Sequence, residues 1–349
     1  MSPVAAAPSP PAGPSADTSY PRLVADIGGT NARFGWVAHA GAGVDHVQQL
    51  PVREHAGPVQ AAQTYLAQLK AQAQTTAPWQ PPRRAALAVA TAVQGDRVEF
   101  TNSHWRFSRQ AVQQELGLDS LLLLNDFESL ALSLPCLGAA QRRCHDERAP
   151  QASGTLAVVG PGTGLGVGAV VATRCGWVAL PGEGGHATLA PADDLESELL
   201  DQLRREHAHV SAERLLSGIG LPVLYQALGE VLGQPVAQAL ATRDIVDRGV
   251  ACTDPLASQT LDLFCALLGG FAGNVALTLG ARSGLYIAGG IVPRFADRFF
   301  ASAFRERFEA KGRFREYLAA VPSALITDTL AALSGSALAI EQQVVAERA

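Results

Sequence analysis

The sequence predicts a duplicated, two-domain α/β fold with a cleft between its halves. Three observations carry that expectation. At 349 residues and 48% hydrophobic, the chain is long enough for about two domains, each with its own core. A strand-rich opening followed by strand–helix alternation occurs from Leu23 and restarts at Thr155. A glycine–threonine turn recurs with the same internal spacing in both copies: Gly29, Thr30 and Gly35 in GGTNARFG, then Gly162, Thr163 and Gly168 in PGTGLGVG.

In the first half, apolar runs place strands near residues 23–27, 32–38, 48–52, 85–91 and 121–125. Val59, Ala62, Leu66 and Leu69 recur at helical spacing after Pro58, a residue suited to a first helical turn. In the second half, strands are expected near 156–160, 166–172, 177–180, 285–288 and 324–327, with helices between the later ones and a last helix after them. Residues 136–153 read as a surface connection between the halves. The most apolar stretch, 261–280, is interrupted by Asp262 and Asn274 and rich in glycine, whereas a membrane span needs about 20 mainly apolar residues, so a buried helix is expected.

Composition narrows the function class. There are 27 basic and 32 acidic side chains, and no run of Lys or Arg is dense enough for a phosphate-backbone footprint, so nucleic acid is not expected as a partner. Cys136, Cys144, Cys175, Cys252 and Cys265 are an odd number with no C-x-x-C pair, which fits reduced thiols in the cytoplasm. The Pro-, Ala- and Ser-rich start has no Lys, no Arg and no apolar core before Tyr20, so it is read as a disordered tail over residues 1–21 and not as a signal peptide.

In LVADIGGTNARFG an apolar strand ends in an acid and turns through two glycines and a threonine into a second strand. Glycine permits positive φ and close approach, so backbone N–H groups can face phosphate oxygens, with Asp26 holding hydrated Mg²⁺ beside them. A plain tight hairpin explains the same residues. GPGTGLGVG fails the G-x-x-x-x-G-K-[ST] pattern, so this is not a P-loop. Two such hairpins at equivalent places can close on one triphosphate. The chain here resembles the sugar kinase, actin and heat-shock ATPase superfamily, which implies the ribonuclease-H-like, actin/hexokinase-type fold with an interdomain active-site cleft. The resemblance also gives a glycine-rich adenosine segment at Gly289 and Gly290 in LYIAGGIVPRF.

LLLLNDFES puts Asn125 and Asp126 at the carboxyl end of an apolar strand, where open α/β sheets place ligands. Asp126 can serve as the base that accepts the proton of a hydroxyl attacking a γ-phosphate, or can simply cap the next helix. LPGEGGHATLAP brings Glu183 and His186 together, groups suited to reading a polyol, though a turn with a structural histidine fits as well. Glu213 in HVSAERLLSG is expected early in a helix, where an acid is favourable for dipole reasons alone.

The ordered set DIGGTNARFG, TNSHW, NDF, GPGTGLGVG, LPGEGGH, SAERLLSG, IAGGIVPRF and KGRF resembles the bacterial glucokinase family along nearly the whole chain. The resemblance implies a homodimeric, ATP- and Mg²⁺-dependent glucose 6-phosphotransferase of glycolysis, with Asp126 as base. Sugar contacts carry over to Asn125, Asp126, Glu183, His186 and Glu213. Nucleotide contacts carry over to Ala25, Asp26, Ile27, Gly28, Gly29 and Thr30, with Gly162, Thr163 and Gly164 as the second hairpin. It also implies a small domain of residues 22–136 plus 325–349 and a large one of 137–324. Two departures stand out: Ala92 replaces a common Pro, and TDTLAALSGSA lacks the usual Pro-Gly. The related ROK sugar kinases bind zinc through clustered cysteines. No such cluster follows His186, so zinc is not expected. A DNA-binding sugar sensor would need a reading element that the Pro-rich start does not supply.

Overall fold

The computed structural model describes residues 19–72, 79–91, 93, 95–100, 103–234, 236 and 238–348. Residues 1–18 of the expected tail, Ala92, and Thr101 and Asn102 of TNSHW lie outside the described residues. Residues 19–21, assigned to the tail from sequence, belong to the folded body: Ser19 is buried, and the Tyr20 hydroxyl donates to Glu341 at 2.6 Å.

The chain opens with an antiparallel meander of β1 (Arg22–Ile27), β2 (Asn31–Val37) and β3 (Asp45–Pro51). Then come α1 (Pro58–Gln72), β4 (Arg84–Val89), a hairpin of β5 (Arg97–Glu99) and β6 (Arg106–Ser108), α2 (Arg109–Glu115), β7 (Ser120–Asn125) and α3 (Asp126–Ser133). β4 runs parallel to β1 and β7 parallel to β4, so the sheet order is β3-β2-β1-β4-β7.

The second half begins with β8 (Arg142–Cys144), then repeats the meander as β9 (Leu156–Pro161), β10 (Leu165–Thr173) and β11 (Gly176–Gly182). Helices α4 (Asp194–Glu206), α5 (Gly220–Val231), α6 (Thr242–Val250) and α7 (Pro255–Leu279) follow. The chain ends with β12 (Gly284–Ile287), α8 (Ala296–Ala301), α9 (Phe304–Glu309), α10 (Arg315–Ala319), β13 (Ser323–Ile326) and α11 (Ala331–Arg348). This sheet runs β11-β10-β9-β12-β13-β8. Leaving out β8, the two orders match position for position, with the same strand directions. The duplication read from two glycine turns is therefore a duplication of topology. β8 sits inside the expected surface connection, pairing Cys144 with Ala324; its three residues, RRC, carry no apolar alternation that would reveal a strand.

Central strands are apolar on both faces because helices cover both. In the first sheet Leu23, Ala25 and Ile27 pack with Tyr65 and Trp105, while Val24 and Ala86 face Leu333, Ile340 and Val344 of α11. In the second, Ala157, Val159 and Ile287 pack with Phe264 and Leu268 of α7, while Val158 and Tyr286 face the side of Leu132 of α3. The glycines of α7, a core helix long and apolar enough to cross a membrane, admit its neighbour: a Cβ at Gly269 would lie 2.2 Å from the Phe304 carbonyl oxygen.

The halves exchange helices. α3 follows the first sheet yet lies on β10 and β11 of the second, and α11 follows the second sheet yet lies on β1 and β4 of the first. The boundary expected at residue 325 falls inside β13, and α3, grouped with the small domain from sequence, packs on the other sheet. Where the two helices cross, the Ser129 hydroxyl donates to the Ala332 carbonyl at 2.7 Å and lies 2.8 Å from the Ser336 hydroxyl. A Cβ at Gly335 would fall 1.7 Å from the Ser129 carbonyl oxygen. Arg22 and Arg84 fasten α11 to the first sheet through ion pairs with Glu341 at 2.6 Å and Glu347 at 2.7 Å. Gly335→Ala is expected to force the helices apart and cost about 1–3 kcal/mol. A urea midpoint equal to that of the parent protein would contradict this account of the crossing.

Candidate active site

The first glycine hairpin joins β1 to β2. Ala25 and Ile27 have fully buried side chains, and their backbones pair with β2 on one side and β4 on the other. These two form the hairpin's stem, with the turn at Gly28, Gly29 and Thr30 as its tip. Asp26 stands opposite Arg33 in the ladder, and Arg33 Nη1 donates to Asp26 Oδ2 at 3.1 Å. Arg33 Nε is anchored by Gln49 Oε1 at 3.2 Å. Burial raises the Asp26 carboxyl above its ordinary range, and the Arg33 charge and hydrogen bond oppose the rise.

The second hairpin turns at Gly162, Thr163 and Gly164, closed by Gly162 N–H donating to the Gly164 carbonyl at 2.8 Å. Gly289 has φ of +83°, and a Cβ there would lie 2.2 Å from the Pro161 carbonyl oxygen, so only glycine lets the loop after β12 cross this hairpin's root. Gly290, beside it, has open space where a side chain would stand. Asp26, Arg33, Asp126, Gly289, Gly290 and Asp328 line one cavity of about 440 Å³ between the halves. Arg33 is the only cation among its described lining residues, against three aspartates.

Asp126 is the first residue of α3, and the capping reading of it fails because Asn125 does that work. Asn125 Oδ1 accepts from Phe127 N–H at 2.9 Å, and Glu128 Oε2 accepts from Asn125 N–H at 3.3 Å, a reciprocal capping box. Asn125 Nδ2 also donates to the Thr91 carbonyl at 3.2 Å. Asp126 thus keeps one oxygen on Phe127 N–H at 2.9 Å and presents the rest of its carboxylate to the cavity. Burial pushes its carboxyl up to about 6; the Phe127 N–H opposes this, and the Asp26 and Glu183 charges add to it. Those charges also locate Asp26 and Glu183 near Asp126.

Phe127 explains two more glycines. Its ring occupies the places where a Cβ at Gly160 and at Gly166 would stand, 2.5 and 2.0 Å from ring atoms. Part of the glycine content of GPGTGLGVG therefore seats α3 on the second sheet.

Glu183 precedes a short 3₁₀ turn, Gly184–His186, whose His186 N–H donates to the Glu183 carbonyl at 3.0 Å. Glu213 lies in a turn and not at a helix start, because α5 begins only at Gly220; the dipole explanation of Glu213 does not apply. Its Oε1 is 3.8 Å from His186 Nε2, and both residues line a second cavity of about 570 Å³. The structure thus joins Asp26, Asp126, Gly289 and Gly290 in one cavity and His186 with Glu213 in another, while Glu183 is close enough for its charge to act on Asp126. Sequence reasoning missed Arg33, Glu128 and Asp328. Arg33 lay in plain view seven residues after Asp26, but only the strand register reveals the pairing.

Asp26, Asp126 and Asp328 line the first cavity with oxygen groups and no thiol or imidazole does, a chemistry compatible with Mg²⁺ that keeps its water shell and not with direct ligation by all three. Among the described residues no group of three or more His, Cys, Asp or Glu side chains is arranged to hold a metal ion.

A glucokinase family model matches residues 23–343. A glucokinase of Neisseria meningitidis is 43% identical over 331 residues, covering 95% of this chain and 98% of that protein. One from Aromatoleum aromaticum is 45% identical over 329 residues, covering 94% and 97%. Among solved structures, the glucokinase of an Antarctic psychrotroph superposes with a TM-score of 0.84 at 36% identity, covering 92% of this chain and 98% of that one.

The Asp126 carboxyl holds its proton more tightly in the folded state than in the unfolded chain. Its contribution to stability is therefore full below about pH 4 and lost as pH rises through about 6. Asp126→Asn is expected to melt higher than the parent at pH 7.5, by on the order of 2 kcal/mol, with the gap closing toward pH 4. Equal melting at both pH values would contradict the buried-carboxylate reading.

Proposed function

The chain belongs to the glucokinase family, and on that premise we propose that it transfers the γ-phosphoryl group of ATP to the 6-hydroxyl of glucose. The observation that carries the mechanism is the desolvated Asp126 carboxylate sharing one cavity with Asp26, Arg33 and the Gly289–Gly290 loop. A base must sit within hydrogen-bond reach of the attacking hydroxyl and titrate near the working pH, and Asp126 has the environment for both. Its free oxygen takes the proton of the 6-hydroxyl as that oxygen attacks phosphorus in line and ADP leaves. Asn125, Glu183, His186 and Glu213 hold the sugar's other hydroxyls. The turns at Gly28–Thr30 and Gly162–Gly164 offer backbone N–H groups to the phosphates, and Arg33 supplies the fixed positive charge. Asp26 would hold hydrated Mg²⁺, which would supply charge neutralisation at the phosphates.

The same reading makes the protein a cytoplasmic homodimer whose two halves, each carrying the helix that packs on its own sheet, close over the ligands. Five free cysteines support a reducing compartment. The reaction is tested by following ADP and glucose 6-phosphate with Mg-ATP and glucose, beside mannose, fructose, glucosamine and no sugar. Turnover with glucose is the expected result, and no turnover with any sugar would withdraw the reading.

With Asp126 as base, kcat/KM is expected to fall about tenfold per pH unit below about 6, because only the ionised form accepts the proton. Asp126→Asn should lower kcat by roughly 10²–10⁴-fold while calorimetric glucose affinity changes little. Near-parental kcat in that variant would assign the base elsewhere.

A further inference from the structure

Glu213 touches both sides of the site at once. While Oε1 faces His186, Oε2 accepts from the backbone N–H of Leu165 at 2.8 Å, the residue that follows the second glycine turn. A Cβ at Gly164 would stand 2.4 Å from that same oxygen, so the glycine is what admits the carboxylate.

The surrounding backbone sets where this bridge sits. Glu213 N–H donates to the Gly185 carbonyl and Ala212 N–H to the Ala187 carbonyl, each at 2.9 Å, lacing the strip that carries Glu213 to the strip that carries His186. Further along, Gly218 N–H donates to the Gly162 carbonyl at 2.7 Å, tying the same turn to the hairpin a second time. Ser217 closes the turn by donating to the Glu213 carbonyl at 2.7 Å and accepting from Gly220 N–H at 2.9 Å.

We propose that Glu213 is a positioning residue for the second phosphate hairpin, through which sugar and nucleotide strengthen each other's binding. The inference rests on the kinase reading above. A carboxylate serving sugar alone has no need of a partner on the hairpin. With one oxygen on each, a sugar that fixes the Glu213 rotamer also fixes Leu165 N–H and the turn before it, so the second ligand meets a segment already ordered. Linkage requires the effect to be the same in both directions.

The test is calorimetry with glucose and with Mg–AMPPNP, each alone and with the other at saturation, on protein whose turnover of glucose is measured in parallel. In the parent protein each ligand is expected to tighten the other by one common factor of about fivefold or more. Gly164→Ala pushes the carboxylate off Leu165 N–H without removing it from the sugar side. That factor should drop to about one, with glucose affinity measured alone within about threefold of the parent. Glu213→Gln keeps an oxygen for Leu165 N–H, so it should weaken glucose yet retain the factor, whereas Glu213→Ala should lose both. If Gly164→Ala does not fold, the Gln and Ala pair decides. A factor preserved in Gly164→Ala or Glu213→Ala, or lost equally in Gln and Ala, overturns the proposal. Turnover by the parent without mutual tightening overturns the coupling alone, and absent turnover overturns the kinase reading together with it.

Discussion

Where α3 crosses α11, the Gly335 Cα and the Ser129 carbonyl come so close that no side chain fits between them, and two serines, Ser129 and Ser336, share the hydrogen bonds of the contact with the Ala332 carbonyl. Each helix belongs by connectivity to one sheet and by packing to the other. The cavity that holds Asp26, Asp126 and Asp328 opens at the amino ends of these two helices, so its walls keep their spacing only while the crossing holds. Close packing without voids is what allows a contact remote from the chemistry to set distances within it.

The amino end of α3 is where that constraint becomes chemistry. Asn125 and Glu128 satisfy the first helical N–H groups, and Phe127 is locked between two glycines of the second sheet. Asp126 is left with a defined direction and little water, and its carboxyl rises to about 6 as a result. Stability is given up to hold an ionised acid there at neutral pH, a trade typical of functional sites.

How much of this was legible in the sequence depends on whether a feature is local. The repeated glycine turns announce duplication because each turn needs its own glycines whatever surrounds it. Asp126 and the Gly289–Gly290 loop are legible because they end apolar strands. Glu213 is not, since its place in a turn follows from where α5 starts and from pairing with residues 185–187. Arg33 needs the strand register, and β8 is too short to show a period. Several glycines that suggest phosphate binding, Gly160 and Gly166 among them, serve an aromatic ring from another part of the chain.

The helix exchange also bears on how the protein is made. Val24, Val37 and Ala86 lie on the face of the first sheet that Leu333, Ile340 and Val344 of α11 help to cover. A chain leaving the ribosome from its amino end therefore displays that apolar face until α11 emerges, so the first sheet is completed only after the second has been synthesised. Helix α11, Ala331–Arg348, acts as the latch that ends this exposure, so a chain lacking it has a bared sheet face and a cavity without one of its walls.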